Sequence, residues 1–343
     1  MKAFTITEPQ KCCVADVDVP EVKDDEVLLR VGACGICHSD LDLLKGTEVS
    51  DATRYPAIPG HEFTGEIVQV GSKVQRYRKN DKVVVEPMVC CRTCSSCRKG
   101  WIMHCRAGYD QLGITKPGGM AEYVAVPEGC LYKLPSRIDL VKAALIEPAS
   151  CAAHGVLKAE ITPGDSVVII GAGGIGLLAL EIARFFSPGK LIAIDLVEEK
   201  LDIARKLGAT DVINARTESV REQIMKITNG LGAGAVIDSS GSVEAIQESF
   251  SYIGTKAKTV VIGIPPQRRF EINFLAMIDN DSVFRAVNGY TTDVWVWVME
   301  LFGKEFIDSN TIITNKVPLA EAETGFKMFK ERQHGVVKVI IIP

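Results

Sequence analysis

The densest chemistry in the chain lies in one short run, Cys91-Arg92-Thr93-Cys94-Ser95-Ser96-Cys97, closed by Cys105. Thiols spaced this closely can wrap one zinc ion tetrahedrally, and sulfur in every position marks a structural site. No ligand position is left vacant for water or substrate. A metal held here therefore ties together a lobe of about residues 88–106 and takes no part in chemistry. The competing reading is a disulfide staple, which belongs to small secreted domains. This chain has 343 residues and 11 cysteines, adjacent pairs such as Cys12-Cys13 and Cys90-Cys91 among them, and starts Met1-Lys2-Ala3-Phe4 without a signal-peptide pattern. Free thiols in a reducing cytoplasm are the expectation.

Two other clusters offer an open set of ligands: Cys37-His38-Ser39-Asp40 and Gly60-His61-Glu62. A thiolate, an imidazole and a carboxylate from separate loops leave one coordination position free, as in a catalytic zinc site. Either cluster alone carries little weight, since a lone Gly-His-Glu is more often structural. A third motif strengthens both. Gly171-Ala172-Gly173-Gly174-Ile175-Gly176 lies between an apolar run at 167–170 and a pattern with Ile175, Leu178, Ala179 and Ile182 at helical spacing. That is the context of a dinucleotide fingerprint: Gly171 for the tight turn, Gly173 for approach of the pyrophosphate, Gly176 for close packing of helix on strand. The helix start, with Gly174 and Ile175, offers free N–H groups to the phosphates. Asp195 ends the next strand about 20 residues on, where a carboxylate can accept hydrogen bonds from the ribose diol. Its charge opposes the extra phosphate of NADP, at a cost on the order of several kcal/mol, and Leu196 beside it supplies no guanidinium. NAD is the expected cofactor.

These residues need two kinds of scaffold. Short β-type runs at 26–31, 62–70, 81–86 and 121–126, broken by Gly, Pro and Asp, predict an irregular barrel in the first half. After Pro163-Gly164-Asp165 the pattern becomes alternating: strands at 167–170, 191–194, 211–214, 235–238, 258–263 and 282–287, with a helix at 197–207 stopped by Gly208. Alternation of this kind means βαβ units and a parallel sheet. The tail, with helices at 294–302 and 320–329 and a strand at 336–341, comes after that sheet is complete and is predicted to rejoin the first domain. The expected division is residues 1–153 with 291–343 against 154–290. A net charge of −4 without a basic block excludes nucleic acid as a partner. The apolar stretch at 167–183 carries only Glu181 as a charge, but its glycines belong to the turn rather than to a membrane span.

Taken in order, with Leu145-Ile146-Glu147-Pro148 and Ala193-Ile194-Asp195-Leu196 included, these motifs resemble the zinc-dependent medium-chain alcohol dehydrogenases over essentially the whole chain. The likeness is strongest to their sorbitol (polyol) and threonine dehydrogenase branch. The resemblance implies an α/β protein in which a GroES-like β-barrel catalytic domain is split around a Rossmann doubly wound parallel sheet. It further implies bound NAD, a catalytic and a structural zinc in each subunit, and a homo-oligomer, a tetramer before a dimer. Residue by residue, it assigns Cys37, His61 and Glu62 to the catalytic zinc, with Glu147 in or just behind the ligand shell and Cys151 as a minor alternative. Asp40 matches the group that orients the ligand histidine, and Ser39 the hydroxyl that takes the alcohol proton. Lys200 matches a residue near the adenosine ribose, and Lys338 a cation near the pyrophosphate. The family's proton relay ends in a histidine where this chain has Asp42, which leaves the outer end of the path to water.

The implied reaction is hydride transfer from a secondary alcohol, a polyol or vicinal diol, to NAD, giving a ketone. A dehydrogenase of threonine or of an aminocyclitol on the same scaffold is the alternative. A zinc-free reductase of the same fold would lack Cys37, His61 and the cysteine lobe, and a zinc-finger or redox sensor and a noncatalytic structural protein are disfavoured by the open ligand set together with Asp195. His38, His104, His154 and His334 are given no role, Cys90 duplicates Cys91, and Cys34 reads as a packed thiol. Trp295, Trp297 and Met299 recur on one helical face as core or interface.

Overall fold

The computed structural model describes residues 1–47, 52–267, 269–331 and 335–343. His334 lies outside them. The chain divides into two compact units, Met1–Glu147 with Thr291–Pro343, and Pro148–Tyr290.

In the first unit the long strand Glu26–Gly35 is the axis. It pairs antiparallel with Glu62–Val70 on one side and with the last strand, Lys338–Ile342, on the other; Tyr123–Pro127 also pairs with it. Lys82–Val85 and Leu131–Lys133 extend the sheet past Glu62–Val70, and Ile313–Pro318 lies parallel to the last strand. Leu29, Val31, Phe63, Ile67, Val83, Val339 and Ile341 fill its core with Phe4 and Phe326. Alternation of side chains along each strand places these apolar residues on one face. The hairpin Lys2–Glu8/Lys11–Asp16 and the strand Ile313–Pro318 escape the sequence reading because their alternation is short and interrupted. Register sets the site. Gly35 stands opposite Glu62, and Ile340 opposite Gly35, so the end of the chain returns to the loop that begins at Ile36.

In the second unit, among the described residues, six parallel strands form one sheet. In spatial order they are Asp211–Asn214, Lys190–Asp195, Ser166–Ile170, Ala233–Asp238, Ile253–Val261 and Val283–Ala286. Numbered along the chain this is 3-2-1-4-5-6, the doubly wound order whose reversal beside strand 1 marks the ligand crevice. Val167, Val168, Ile169 and Ile170 are all buried, as a strand covered on both faces requires. The sequence places the first domain boundary after residue 153. In the structure the two compact units divide after Glu147, so the helix Ile146–Lys158 starts in the first unit and continues in the second.

Candidate metal and dinucleotide sites

Cys37 precedes the helix His38–Lys45 as its N-cap, in extended conformation. Asp40, in the first turn of that helix, is fully buried and bridges two loops: its Oδ2 accepts the Cys37 N–H at 2.8 Å and its Oδ1 the Gly60 N–H at 3.0 Å. One carboxylate thereby fixes the loop bearing the thiol relative to the loop bearing His61. Asp40 Oδ1 also lies 3.7 Å from His61 Nδ1, beyond hydrogen-bond range, so its grip on the histidine runs mainly through the Gly60 backbone. Among the described residues, ligand atoms of Cys37, His61 and Glu62 lie within 4.8 Å of one another. His61 and Glu62 are buried. Ser39 Oγ is 3.8 Å from Cys37 Sγ.

Glu62 is ion-paired with Lys338, whose Nζ also donates to the Ile36 carbonyl at 2.9 Å. Both side chains are almost wholly buried. Burial opposes the charge on Lys338, but Glu62, Cys37 and Glu147 outweigh it and raise its pKa. The same contest acts on His61, where burial disfavours the cation and Cys37, Asp40 and Glu147 win, lifting the pKa well above the usual imidazole value. Glu147, also buried, is pushed up to about 7 by desolvation, with His61 pulling it down and Glu62 pushing it up. Acidic groups crowd this pocket beyond what Lys338 neutralises, and His61 Nδ1 is buried with no hydrogen-bond partner. A divalent cation relieves that excess, and sulfur, nitrogen and oxygen donors in one set suit zinc.

The cysteine lobe is built on the hairpin Met88–Cys90/Tyr109–Gln111 and the short helix Ser95–Arg98. Cys105 Sγ lies 3.5 Å and Cys97 Sγ 3.9 Å from Cys91 Sγ. Backbone N–H groups aim at sulfur: Cys94 N–H at Cys91 Sγ (3.4 Å), and those of Cys97 and Arg106 at Cys94 Sγ (3.5 Å each). Such bonds favour thiolate: those from the Thr93 and Cys94 backbone lower Cys91 to about 6, those from Cys97 and Arg106 lower Cys94 below its ordinary value, and burial raises Cys97. All eleven cysteines are free thiols. The donors and their N–H support fit a closed tetrathiolate zinc site.

In the second unit, Gly171 turns the chain after Ser166–Ile170 with φ +91°, a conformation that favours glycine. A Cβ on Gly176 would lie 1.7 Å from the Gly171 carbonyl oxygen, so only glycine lets the helix Gly174–Ala183 pack this closely. A Cβ on Gly173 would meet nothing within 4 Å, which leaves a cradle that a side chain would fill. Gly173 caps the helix without a side-chain acceptor, so the first N–H groups stay available to an anion. Asp195 closes the neighbouring strand. Its Oδ2 accepts the Ala172 N–H at 2.7 Å, and its Oδ1 those of Leu196 and Val197 at 2.8 and 3.0 Å. Loop and carboxylate together fit a dinucleotide.

Comparison with known proteins shows the family. Residues 23–136 match the family model described as alcohol dehydrogenase GroES-like domain, and residues 174–304 the one described as zinc-binding dehydrogenase. A sorbitol dehydrogenase of Bacillus subtilis is 30% identical over 100% of this chain and 97% of its own length. The chain belongs to the zinc-dependent medium-chain alcohol dehydrogenases. An L-threonine 3-dehydrogenase of Bacillus licheniformis is 33% identical, covering 95% of this chain and 94% of that one. This dehydrogenase is thus an oxidoreductase of the polyol and threonine branch. The crystal structure of a zinc-binding dehydrogenase from Sinorhizobium meliloti, described as bound to NADP, superposes with a TM-score of 0.92 at 29% identity, covering 100% of this chain and 99% of that one.

Within this dehydrogenase the structure gathers Cys37, His61 and Glu62, with Ser39 and Asp40 on the same helix turn. Among the described residues Cys91, Cys94, Cys97 and Cys105 form the other set, and Glu147 and Cys151 fall outside both. Lys200 is buried on the helix Glu198–Lys206 that follows Asp195. Lys338, expected beside a pyrophosphate, has its ammonium on Glu62, a pairing with no local signal since its partners lie some 300 residues away. His154 Nδ1 is hydrogen-bonded to the Gly289 carbonyl at 2.9 Å, and Trp295 is core. Among the described residues no helix is long and apolar enough to cross a membrane.

Proposed function

We propose that this dehydrogenase oxidises a secondary hydroxyl of a polyol or vicinal diol to a ketone with NAD as hydride acceptor. The observation that carries the reading is the set of half-buried Cys37 with buried His61 and Glu62, and the Ser39 hydroxyl beside Cys37. A zinc ion on those residues, with Glu147 behind them, supplies the Lewis acidity that makes an alcohol proton labile near neutral pH. A second on Cys91, Cys94, Cys97 and Cys105 holds the lobe. NAD in the glycine-loop site would supply the hydride acceptor.

The chain's own residues do the rest. Ser39 accepts the alcohol proton by hydrogen bond and passes it outward to water, since Asp42 stands at the end of the path. Asp40 keeps the Cys37 and His61 loops in register. Lys338 balances the Glu62 charge inside the pocket, and its reach to a pyrophosphate rests on resemblance. Asp195 would accept the ribose hydroxyls and oppose the phosphate that distinguishes NADP, and Lys200, on the helix that follows, would by resemblance serve the same ribose. Glu62 and Glu147 also offer acceptors to a neighbouring substrate hydroxyl, which supports a diol over a simple alcohol. Likeness to the sorbitol dehydrogenase points the same way. The likeness to the threonine dehydrogenase supports threonine, or an amino alcohol such as an aminocyclitol, as the second reading. The protein is taken to work in the cytoplasm as a homo-oligomer, a tetramer before a dimer, with a small-molecule alcohol as its partner; the free thiols support the compartment.

The test is a panel of polyols, diols, secondary and primary alcohols and threonine with NAD and with NADP, followed by the absorbance of the reduced cofactor. Diols or polyols should lead in kcat/KM. Primary alcohols ahead of every diol and polyol would overturn the substrate class, and threonine ahead would establish the second reading.

A further inference from the structure

Strands Ser166–Ile170 and Ala233–Asp238 run side by side with Ile170 opposite Asp238, and each ends in a turn. The first turn is the glycine loop. The second, Asp238-Ser239-Ser240-Gly241, is stiffened from within: the buried Asp238 carboxylate accepts the N–H groups of Ser240 and Gly241 at 3.2 and 3.0 Å and the Ser240 hydroxyl at 2.6 Å. Ser239 links the two turns. Its N–H donates to the Ile170 carbonyl at 2.9 Å, and its single hydroxyl proton is shared between the carbonyls of Ile170 at 2.9 Å and Gly171 at 3.0 Å.

The Gly171 carbonyl and the Ala172 N–H belong to one peptide unit. Ser239 donates to its oxygen, and Asp195 Oδ2 accepts from its nitrogen at 2.7 Å. Side chains from the end of Lys190–Asp195 and from the turn after Ala233–Asp238, the two strands flanking Ser166–Ile170, thus hold the same peptide plane at opposite ends. Space tells which side of the loop Ser239 occupies. A Cβ on Gly171 would lie 3.1 Å, and one on Gly176 2.6 Å, from Ser239 Oγ, whereas a Cβ on Gly173 meets nothing within 4 Å. The hydroxyl sits against the packed side of the loop and leaves the side at Gly173 open to a ligand.

We propose that Ser239 is a positioning residue for the dinucleotide: its hydroxyl, with Asp195, sets the plane of the Gly171–Ala172 peptide and so the aim of the N–H groups at the start of Gly174–Ala183. The proposal rests on the reading of this loop as the NAD site. A loop held in its binding conformation before the ligand arrives spends less affinity on ordering. Loss of the hydroxyl frees one end of the peptide, next to a residue at φ +91°. Because the pyrophosphate is common to the oxidised and reduced cofactor, both forms should bind more weakly, while chemistry at the nicotinamide is untouched.

The experiment uses the full chain and Ser239→Ala, with NADH titrated by fluorescence and steady-state rates measured against NAD. Removing one hydrogen bond should raise the NADH Kd and the NAD KM about three- to tenfold, with kcat at saturating NAD unchanged. Ser239→Thr, which keeps the donor, should restore affinity. Ser242→Ala is the structural control: it removes the cap on the helix Val243–Ser249, where Ser242 Oγ accepts the Ala245 N–H at 3.2 Å. That variant should lower Tm and leave the Kd alone. Should Ser239→Ala prove insoluble, Ser239→Cys, with similar volume and a weak donor, takes its place with the same expected result. An unchanged Kd, a fall in kcat in place of the Kd effect, or an equal loss of affinity in Ser242→Ala would overturn the proposal. A parent enzyme that binds neither NADH nor NADPH would overturn the reading of the loop as well.

Discussion

Gly35→Ala is the sharpest test of how the first unit holds its ligand set. A Cβ added there would lie 2.1 Å from Glu62 Oε2, 2.9 Å from Lys338 Cε and 3.3 Å from Glu62 Cβ. Gly35 does not have a positive φ, so the substitution strains no backbone dihedral and acts through space alone. Neither neighbour can move into water, because Glu62 is 1% and Lys338 5% exposed. If the ion pair shifts as a unit, overpacking costs about 1–3 kcal/mol. If the methyl separates it, the buried charges lose their compensation, at about 3–5 kcal/mol. A loss near 3 kcal/mol in a unit of this size lowers Tm by on the order of 10 °C. The displaced Glu62 carboxylate should also weaken the open metal set and spare the cysteine lobe, so elemental analysis should fall from about two zinc ions per chain toward one. Gly303→Ala is the control. A Cβ there meets nothing within 4 Å, and the change should stay within about 1 kcal/mol. A Gly35→Ala protein with parental Tm and a full zinc complement would refute the reasoning.

The two metal sets should separate by mutation. Cys97→Ser should destabilise the lobe and lose one zinc, because metal binding there is part of its folding energy, whereas Cys37→Ala should leave a folded, inactive protein with the lobe metal intact; thermal melts with zinc analysis decide. The enzyme should prefer NAD over NADP in kcat/KM, and Asp195→Ser should narrow that preference by removing both the repulsion and a ribose acceptor; a parent that works better with NADP contradicts the role given to Asp195. Ser39→Ala should cut turnover roughly 100-fold with little change in NADH affinity, and an unaltered rate would move the first proton transfer to water.

Motifs that act through neighbours in the chain were legible in the sequence. The cysteine lobe is one, because its ligands sit on a single short excursion whose own N–H groups bond the sulfurs. The glycine turn is another, since a strand, a tight turn and a helix start leave local marks on residue choice, and Asp195 follows at a spacing set by one βαβ step. The apolar runs likewise announced the parallel strands, with ends displaced by a few residues because hydrogen bonding, not hydrophobicity, decides where a strand stops. Tertiary structure alone decided the contacts that depend on strand register. Pairing of Ile340 with Gly35 carries Lys338 to Glu62, and pairing of Ile170 with Asp238 carries Ser239 to Gly171. Neither partner choice leaves a pattern in either segment, because any strand of suitable length offers the same backbone groups. Asp40 shows the same division. Its place after Cys37 marked it as part of the site, but its hold on the Gly60 N–H exists only once two loops, joined by no local interaction, are folded against each other.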